Sequence, residues 1–314
     1  MPKIIIVDAN SVGYAGQHSA DLKTGDLPTQ AIYNTLANLR ALKSKHKEAN
    51  FMYLWDDRAQ FRFDLLPDYK GKRENTPEKV KAKEEYHAQQ PYIKKLLGYM
   101  GIPQLRHAGY EADDLAFYLC KLFVARGYEV VLVTSDKDWL QMLDKNVTWF
   151  DPRMDRYCTI ETFQEFTGFN TIRKFTDSKS LLGDKSDNID GISGIGEKAC
   201  SLIFNKWDSV VDMVKEHRAL GGFTKENIGP DFSRFINKMN ALCSNQDGLL
   251  KQFKRNCQLM DLSLCPPITG LKFEKTSKDP EAFFDLCAEL AFQSIMRKRG
   301  IWTNTFFEEF IEAA

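Results

Sequence analysis

Short apolar runs that lead into an aspartate are the feature of this sequence that most constrains its fold. Runs of this length are typical of strands that are buried on both faces. Helical patterns separate them, and strands that alternate with helices indicate an α/β domain with a mostly parallel sheet. Because sites in open α/β sheets form beyond the carboxyl ends of the strands, we expect the aspartates to converge. The runs cover residues 3–7, 51–55 and 129–134, and the aspartates are Asp8, Asp56 and Asp136.

Helical periodicity follows the strands and dominates the second half of the chain. We expect helices over residues 29–45, 77–100 and 111–126, with Thr29 as the N-cap of the first. A fourth strand is expected at residues 147–150. From about Thr171 the pattern is mainly helical, and residues 191–196 form a glycine-spaced turn between helical segments. Later helices are expected at residues 207–218, 231–243 and 280–297.

The composition is that of a soluble globular protein and excludes several classes. The chain has 314 residues, of which 43% are hydrophobic and 27% charged. No apolar run reaches the ~18 residues of a membrane span, and the start MPKIIIVDAN lacks the apolar centre of a signal peptide. Seven cysteines without a CxxC pair and five scattered histidines indicate reduced thiols and no zinc site. We therefore expect a cytoplasmic protein with no membrane partner.

The net charge of zero reflects 43 basic and 43 acidic residues. Phosphate binding is mostly electrostatic, so neutrality argues against a nucleic-acid partner. The distribution argues the other way, because residues 68–95 carry eight Lys and Arg against five Asp and Glu. A basic binding surface around an acidic metal site would also sum to zero.

Nine carboxylates, which occur in groups along the chain, are the candidate metal ligands. Taken singly, each group has a structural explanation: acids in the first turn of a helix complement its dipole, and Asp-rich clusters favour turns. Together they would repel one another strongly without cations. Oxygen ligands with no Cys or His select Mg²⁺ or Mn²⁺, and paired ions ~4 Å apart hydrolyse phosphodiesters. The acids are Asp8, Asp56, Glu111, Asp113, Asp114, Asp136, Asp138, Asp184 and Asp187.

The spacing within the groups supports convergence. Asp184 and Asp187 are three residues apart and would share one face of a helix. Asp136 and Asp138 are two residues apart and would project the same way from an extended strand end. Glu111 and Asp114 would share a helical face beside Asp113.

Five motifs, in this order and spacing, resemble those of the 5′-nuclease superfamily over about residues 1–256. This group includes flap endonucleases, phage 5′-exonucleases and the 5′-nuclease domain of bacterial DNA polymerase I. The motifs are the strand ending at Asp8, the run ending at Asp56, YEADD from Tyr110, TSDKDW from Thr134 and GDKSDNIDGISGIGEKA from Gly183.

The resemblance implies a PIN-like α/β fold, in which a mostly parallel sheet is flanked by helices. A 5′-nuclease domain would occupy residues 1–182 and include a helical arch at about 68–100. A helix-hairpin-helix DNA-binding region would cover residues 183–256, and residues 257–314 would pack back on the body. The ends at Met1 and Ala314 favour a free-standing protein over a fragment of a polymerase.

The resemblance also divides the acids into two metal groups. The first would comprise Asp8, Asp56, Glu111, Asp113 and Asp114. The second would comprise Asp136, Asp138, Asp184 and Asp187, with Asp136 near both. Trp55-Asp56-Asp57 stands where the family has Phe-Asp-Gly, so either Asp56 or Asp57 is the ligand; Asp56 is preferred because it directly follows the strand.

The segment around Lys70 resembles the start of the family's arch. Lys70 and Arg73 would neutralise charge on the scissile phosphate, Tyr69 would stack on a terminal base, and Lys72 would contact DNA. A solvated basic helix start is the alternative explanation for the segment alone.

The glycine-spaced turn resembles a helix-hairpin-helix signature that grips duplex DNA. Its glycines permit tight turns, and N–H groups at the start of the next helix bind phosphate. The family also holds a monovalent cation, K⁺, at such turns. The DNA-binding residues would be Gly191, Gly194, Gly196 and Lys198.

These observations predict a monomeric, structure-selective and sequence-independent 5′-nuclease that acts as a 5′→3′ exonuclease and flap endonuclease in replication or repair. Its partners would be 5′-flap, nicked or 5′-ended duplex DNA with a single-stranded 5′ arm. An RNA/DNA hybrid, from RNA primer removal, and a replication-protein partner are further expectations. The alternatives are a PIN-type ribonuclease and a non-catalytic protein that binds DNA structures.

Overall fold

The chain folds into two compact units that are each discontinuous in sequence. The computed structural model describes residues 1–18, 21–71, 76–273 and 276–308. Unit 1 comprises Met1–Arg58, Glu74–Tyr157 and Ile268–Ala314, and unit 2 comprises Ala59–Arg73 and Cys158–Pro267. These boundaries differ from the expected divisions near residues 182 and 256, because unit 2 takes in an earlier segment of the chain.

A six-stranded sheet forms the centre of the α/β fold. Its strand order is β3-β2-β1-β4-β5-β6, and β1 pairs in parallel with both β2 and β4. The expected strands are confirmed within a residue at each end. The strands are β1 (Lys3–Asp8), β2 (Asn50–Trp55), β3 (Gln104–Arg106), β4 (Glu129–Val133), β5 (Val147–Asp151) and β6 (Arg156–Cys158).

Helices make up most of the remaining structure. The early helices are α1 (Ala9–Gln17), α2 (Gln30–Lys45), α3 (Gln60–Leu65), α4 (Pro77–Tyr99) and α5 (Ala112–Ala125). The later ones are α6 (Phe163–Thr167), α7 (Ile172–Leu182), α8 (Glu197–Lys206), α9 (Val210–Leu220), α10 (Lys225–Ile228), α11 (Ile236–Cys243), α12 (Leu249–Met260), α13 (Pro280–Glu289), α14 (Gln293–Met296) and α15 (Arg299–Phe306). Short 3₁₀ turns cover Lys137–Met142, Pro230–Phe232, Gln246–Gly248 and Leu262–Leu264. None of the helices in the described ranges is long and apolar enough to cross a membrane.

Local sequence signals explain where the long helix α4 begins and how it packs. The side chain of Thr76 accepts a hydrogen bond from the Lys79 N–H, and Pro77 occupies the first helical position. The ring of Tyr86 packs against α1 at Gly13, where a Cβ atom would lie 2.6 Å from the Tyr86 hydroxyl. Gly13 therefore allows α1 and α4 to approach closely.

The C-terminal segment belongs to the core of unit 1. Phe283, Phe284 and Trp302 are buried in the same cluster as residues of β1, β2 and α2. The expected last segment began at residue 257, whereas the part of the chain that joins unit 1 begins at Ile268. The single helix expected at residues 280–297 is wrong, because Ala291 has a left-handed backbone with φ of 57° and separates α13 from α14.

Unit 2 has its own core, formed by helices α7–α12. Large buried side chains at its centre include Ile203, Trp207, Met213 and Leu242. A smaller cluster packs Tyr69 against residues of α12. Between α7 and α8 the chain forms a two-stranded hairpin, Gly183–Asp184 with Ile189–Asp190, before the glycine-spaced turn.

Candidate metal centre and nucleic-acid interface

The central strand β1 delivers Asp8 to the carboxyl-terminal edge of the sheet. Asp8 is the N-cap of α1, and its Oδ1 accepts a hydrogen bond from the Ser11 N–H at 2.9 Å. Its Oδ2 accepts one from the Thr134 hydroxyl at 2.9 Å. Thr134 is fully buried and follows β4, so it links the ends of two neighbouring strands. The Asp8 carboxylate is consequently held in one orientation.

The structure distinguishes Asp56 from Asp57. Oδ1 of Asp56 accepts a hydrogen bond from the Ala112 N–H at 2.7 Å, and Oδ2 accepts one from Nδ2 of Asn10 at 2.7 Å. Asp57 instead forms an ion pair with Nε of Arg106 at 2.9 Å. Asp56 therefore lies among the residues that follow β1 and β2, whereas the charge of Asp57 is neutralised by an arginine.

The start of α5 brings a second set of acids to the same edge. Glu111 is the N-cap, and Asp114 completes a capping box by accepting a hydrogen bond from the Glu111 N–H at 2.9 Å. Oδ1 of Asp113 accepts one from Nε1 of Trp139 at 2.6 Å. Asp114 is 1% exposed, so capping is the role that its position supports.

Asp136 and Asp138 lie at the start of a 3₁₀ turn, so the expected extended strand end is wrong. Asp136 is the N-cap, and its Oδ1 accepts a hydrogen bond from the Asp138 N–H at 2.8 Å. The Asp136 N–H donates to the Thr134 hydroxyl oxygen at 3.0 Å, and Nε1 of Trp149 donates to the Asp136 carbonyl at 3.0 Å. These bonds fix Asp136 beside the end of β4.

The acids of unit 1 are close enough to perturb one another. Burial and the charge of Asp56 raise the pKa of Asp8 to about 7, with a smaller contribution from Asp136 and opposing hydrogen bonds from Ser11 and Thr134. Burial, followed by the charges of Asp136, Asp56, Asp8 and Glu111, raises the pKa of Asp113 well above its usual range. The raised pKa values show that each negative charge makes ionisation of its neighbours less favourable.

The donor set at this edge fits a hard divalent cation. Asp8, Asp56, Asp113 and Asp136 supply only oxygen, and their repulsion would be offset by a positive ion. Within the ranges that the structure describes, no three Asp, Glu, His or Cys side chains are arranged to enclose an ion. The carboxylates are neighbours and not a closed ligand shell, as expected for like charges that repel.

Asp184 and Asp187 lie in unit 2, on the hairpin between α7 and α8. The expected helical face is wrong, because Gly183–Asp184 is a short strand and residues 185–188 form its turn. Burial alone would raise the pKa of Asp184, but hydrogen bonds from Ser186 and the charge of Lys179 outweigh it and hold that pKa below its usual range. Asp184 is therefore ionised at neutral pH.

Lys70 and Tyr69 are tied to Asp187 inside unit 2. The Lys70 N–H donates to the Asp187 carbonyl at 2.9 Å, and Nζ of Lys70 lies 3.9 Å from Oδ2 of Asp187. The Tyr69 hydroxyl donates to the same Oδ2 at 3.0 Å. Lys70 has a left-handed backbone, with φ of 58°, so the expected helix start is wrong here.

Tyr69 does not offer the open ring face that base stacking needs. The residue is 4% exposed, and its ring packs edge to face with Phe63 at 5.5 Å between centroids. The stacking role predicted for Tyr69 does not fit this structure. Lys72 and Arg73 lie outside the described residues.

The glycine-spaced turn has the expected tight geometry. Gly194 has φ of 81°, and a Cβ atom at Gly191 would lie 2.2 Å from the Leu182 carbonyl oxygen. Gly196 is the exposed N-cap of α8, the first N–H groups of that helix have no partner within it, and Lys198 of the first turn is exposed. The turn therefore presents donors and a cation at one surface of unit 2.

Three neighbours of the acids were not predicted from the sequence. Asn10 donates to Asp56, Thr134 connects Asp8 to Asp136, and Trp139 donates to Asp113. Asn10 and Thr134 stand within two residues of predicted ligands, which is the signal that points to them. Trp139 also stands next to a predicted ligand, Asp138, but its hydrogen bond is to Asp113 on α5, and a buried tryptophan is usually a core residue.

Comparison with known proteins supports one family. The model of the 5′-3′ exonuclease N-terminal, resolvase-like domain matches residues 3–168. A 5′-3′ exonuclease of Aquifex aeolicus is 34% identical over 68% of this chain and 73% of its own length. The chain belongs to the 5′-3′ exonuclease family.

Other relatives of this family are longer proteins or are similar in fold. DNA polymerase I of Caldicellulosiruptor bescii is 28% identical over 98% of this chain, which spans only 34% of that protein's length. The D15 flap endonuclease of bacteriophage T5, solved as a pseudo-enzyme-product complex with DNA and metal ions, has the same fold with a TM-score of 0.66. It is 21% identical, and the match covers 96% of this chain and 98% of that one.

Proposed function

We propose that this chain is a structure-selective, sequence-independent 5′-nuclease that hydrolyses phosphodiester bonds of DNA in replication or repair. Membership of the 5′-3′ exonuclease family supports the reaction class. The observation that carries the proposal is the convergence of Asp8, Asp56, Asp113 and Asp136 at the carboxyl edge of three adjacent strands. The activity combines 5′→3′ exonuclease and flap endonuclease cleavage.

Asp8, Asp56, Glu111, Asp113 and Asp136 are the residues that would hold Mg²⁺ or Mn²⁺. Bound there, such ions would supply a hydroxide nucleophile at neutral pH and would offset the charge of the leaving oxygen. Thr134 and the Ala112 N–H orient the carboxylates of Asp8 and Asp56. The role of Asp114 as a ligand, and the second group that joins Asp138, Asp184 and Asp187 to Asp136, stay predictions from the resemblance.

Basic residues and backbone donors would handle the nucleic acid. Lys70, with Arg73, neutralises charge on the scissile phosphate. The start of α8 and Lys198 contact phosphates of the duplex, because helix N-terminal N–H groups favour anions. A K⁺ ion at the turn of residues 191–196 stays a prediction. Contacts to phosphates carry no base information, so binding is independent of sequence.

A panel of substrates tests the proposal. We expect the chain to release 5′ products from flap, nicked and 5′-ended duplexes with Mg²⁺, at rates that do not depend on base sequence. An RNA-primed duplex in the same panel measures primer removal. Cleavage of single-stranded RNA but not of flap DNA would indicate a PIN-type ribonuclease. Binding of the flap without cleavage at any Mg²⁺ concentration would indicate a non-catalytic protein.

The proposals on location, oligomeric state and protein partners are tested separately from the activity. We propose a cytoplasmic monomer, whose mass in solution is measured by light scattering. A replication-protein partner is proposed for the aromatic and acidic tail that begins at Thr305; residues 309–314 lie outside the described part of the chain.

A further inference from the structure

A chain of hydrogen bonds joins helix α4 to the carboxylate of Asp56. Oδ1 of Asn10 lies 3.1 Å from the Tyr86 hydroxyl and 3.1 Å from Nε2 of Gln90, both on α4. Nδ2 of Asn10 donates to Oδ2 of Asp56 at 2.7 Å. Asn10 therefore connects the longest helix of unit 1 to a candidate metal ligand.

The partners of Asn10 require an amide in one orientation. A carboxylate only accepts hydrogen bonds, so the amide nitrogen has to face Asp56. The amide oxygen then faces α4, where Nε2 of Gln90 donates to it and the single proton of the Tyr86 hydroxyl is shared between it and the Ala9 carbonyl. Turning the Asn10 amide over would place its nitrogen against the amide nitrogen of Gln90 and its oxygen against the carboxylate of Asp56.

The packing of α4 keeps Tyr86 in place to hold Asn10. Tyr86 is 3% exposed, and its hydroxyl also lies 3.1 Å from the Ala9 carbonyl. Gly13 leaves the space that the ring occupies. The position of the Tyr86 hydroxyl is thus fixed by the contact between α1 and α4.

Asp56 needs such support more than Asp8 does. Asp8 is buried and caps a helix, whereas Asp56 is exposed and follows its strand directly. The Ala112 N–H and Asn10 each bind one oxygen of Asp56, and a carboxylate oxygen with one hydrogen bond keeps a lone pair for a cation. Partners of this kind orient metal ligands.

We propose that Asn10 is a positioning residue that orients Asp56 for divalent-cation binding, and that Tyr86 and Gln90 of α4 hold Asn10 in turn. This inference rests on the proposed function, since it takes Asp56 as a ligand. It makes cation affinity depend on the placement of α4, although no residue of α4 is a ligand.

Binding of Mn²⁺ to the full chain without DNA tests the inference, measured by the paramagnetic resonance signal of the unbound ion. Asn10→Ala should weaken Mn²⁺ affinity about 10-fold, and Tyr86→Phe by a smaller factor, because outer partners of ligands act on affinity in this range. The double variant should bind no more weakly than Asn10→Ala alone, since both act through one chain. High Mg²⁺ should restore cleavage by Asn10→Ala.

Gln17→Ala is the matched control. Gln17 also connects α1 to α4, through a 2.6 Å hydrogen bond from its Nε2 to Glu85, but none of its hydrogen bonds reaches Asp56. We expect its Mn²⁺ affinity to stay within about twofold of the unmodified chain, since it orients no ligand. An equal loss in Gln17→Ala and Asn10→Ala would overturn the inference, because general loosening of the α1–α4 contact would explain both.

Asp56→Ala separates this inference from the proposed function. If Asp56→Ala loses Mn²⁺ binding and Asn10→Ala keeps it, the positioning role is wrong and the proposed function stands. If Asp56→Ala itself keeps full affinity, the assignment of Asp56 as a ligand fails, and the positioning role fails with it.

Discussion

At the scale of single residues, Asp8 shows that a charged carboxylate at this site lowers the stability of the folded protein. It is buried among Asp56 and Asp136, and its pKa of about 7 exceeds the usual 3.8. Below about pH 4 the group is protonated in the folded and unfolded states alike, so it has no effect on stability. As the pH rises from about 4 to about 7, the unfolded state releases the proton of Asp8 while the folded state keeps it, so stability falls across this range and the loss is complete above pH 7.

Replacing Asp8 by Asn should therefore stabilise the metal-free protein above neutral pH. An asparagine keeps the N-cap of α1 but removes the charge. We expect a gain of roughly 2 kcal/mol in the free energy of unfolding at pH 8, and little gain at pH 4, because the penalty grows between these values. Urea unfolding in EDTA at both pH values measures it. An equal effect at pH 4 and pH 8 would show that charge is not the cause.

Lys70 gives a second test at this scale. Its charge lies beside Asp187, and the proposed role is to neutralise the scissile phosphate. Lys70→Ala should slow single-turnover cleavage by about 100-fold, a loss typical of one electrostatic donor, and weaken flap binding much less. Lys70→Arg keeps the charge and is the control. Near-normal turnover of Lys70→Ala would refute the charge role.

At the scale of elements, the hydrophobic pattern of the sequence predicted the strands and helices whose apolar residues are buried. The strands β1, β2 and β4 are continuous apolar runs, and α4 and α5 begin at capping residues. Thr29 occupies the N-cap position of α2, but its side chain forms no capping hydrogen bond. The helix α1 was not expected. Its glycines have low helix propensity, and only the contact with α4 explains why Gly13 is there.

The errors concern backbone conformations that no local pattern specifies. Asp184 and Asp187 have helical spacing, yet Gly183 has φ of 75° and Asn188 has φ of 60°, and the segment between them forms a hairpin. Ala291, just after α13, has a left-handed backbone, although the glycine that usually marks such a helix end in a sequence is absent at this position. The candidate ligands Asp8 and Asp56 could be proposed from the strand ends, whereas the hydrogen bonds that Asn10 and Trp139 donate depend on tertiary contacts.

The turn before α8 permits a prediction about one element. A methyl group at Gly191 would collide with the Leu182 carbonyl, whereas one at Gly196 would meet open space. Gly191→Ala should destabilise unit 2 by roughly 2 kcal/mol or more and weaken duplex binding, because backbone has to shift. Gly196→Ala should change stability far less. Thermal unfolding and duplex titration measure both, and equal stability of the two variants would contradict the close packing.

At the scale of the whole molecule, the two units divide the work that the proposed function needs. Unit 1 carries the oxygen donors at the edge of its sheet, and unit 2 carries the glycine turn, Lys70 and Lys198. Chain order does not follow this division, since unit 2 takes in residues 59–73. The sequence alone placed the boundaries elsewhere, because contiguous segments are the simplest assumption.

The carboxylates of unit 1 should also bind ions without any nucleic acid. Mg²⁺ should raise the melting temperature of the full chain at pH 8, because it offsets repulsion between charged acids, and less at pH 5, where Asp8 is protonated. Differential scanning fluorimetry with Mg²⁺ or EDTA measures the shift. No shift at pH 8 would contradict a cation site in unit 1.

Cleavage of a 5′-flap duplex by three proteins tests the central claim most directly. The unmodified chain, Asp56→Asn and Asp57→Asn are compared with Mg²⁺ and with EDTA in single-turnover reactions. The unmodified chain and Asp57→Asn should cleave with Mg²⁺ and stop with EDTA, whereas Asp56→Asn should lose at least about 100-fold of its rate, as expected when the charge of a metal ligand is removed. Full activity of Asp56→Asn, or cleavage that continues in EDTA, would contradict a metal-dependent nuclease centred on these carboxylates.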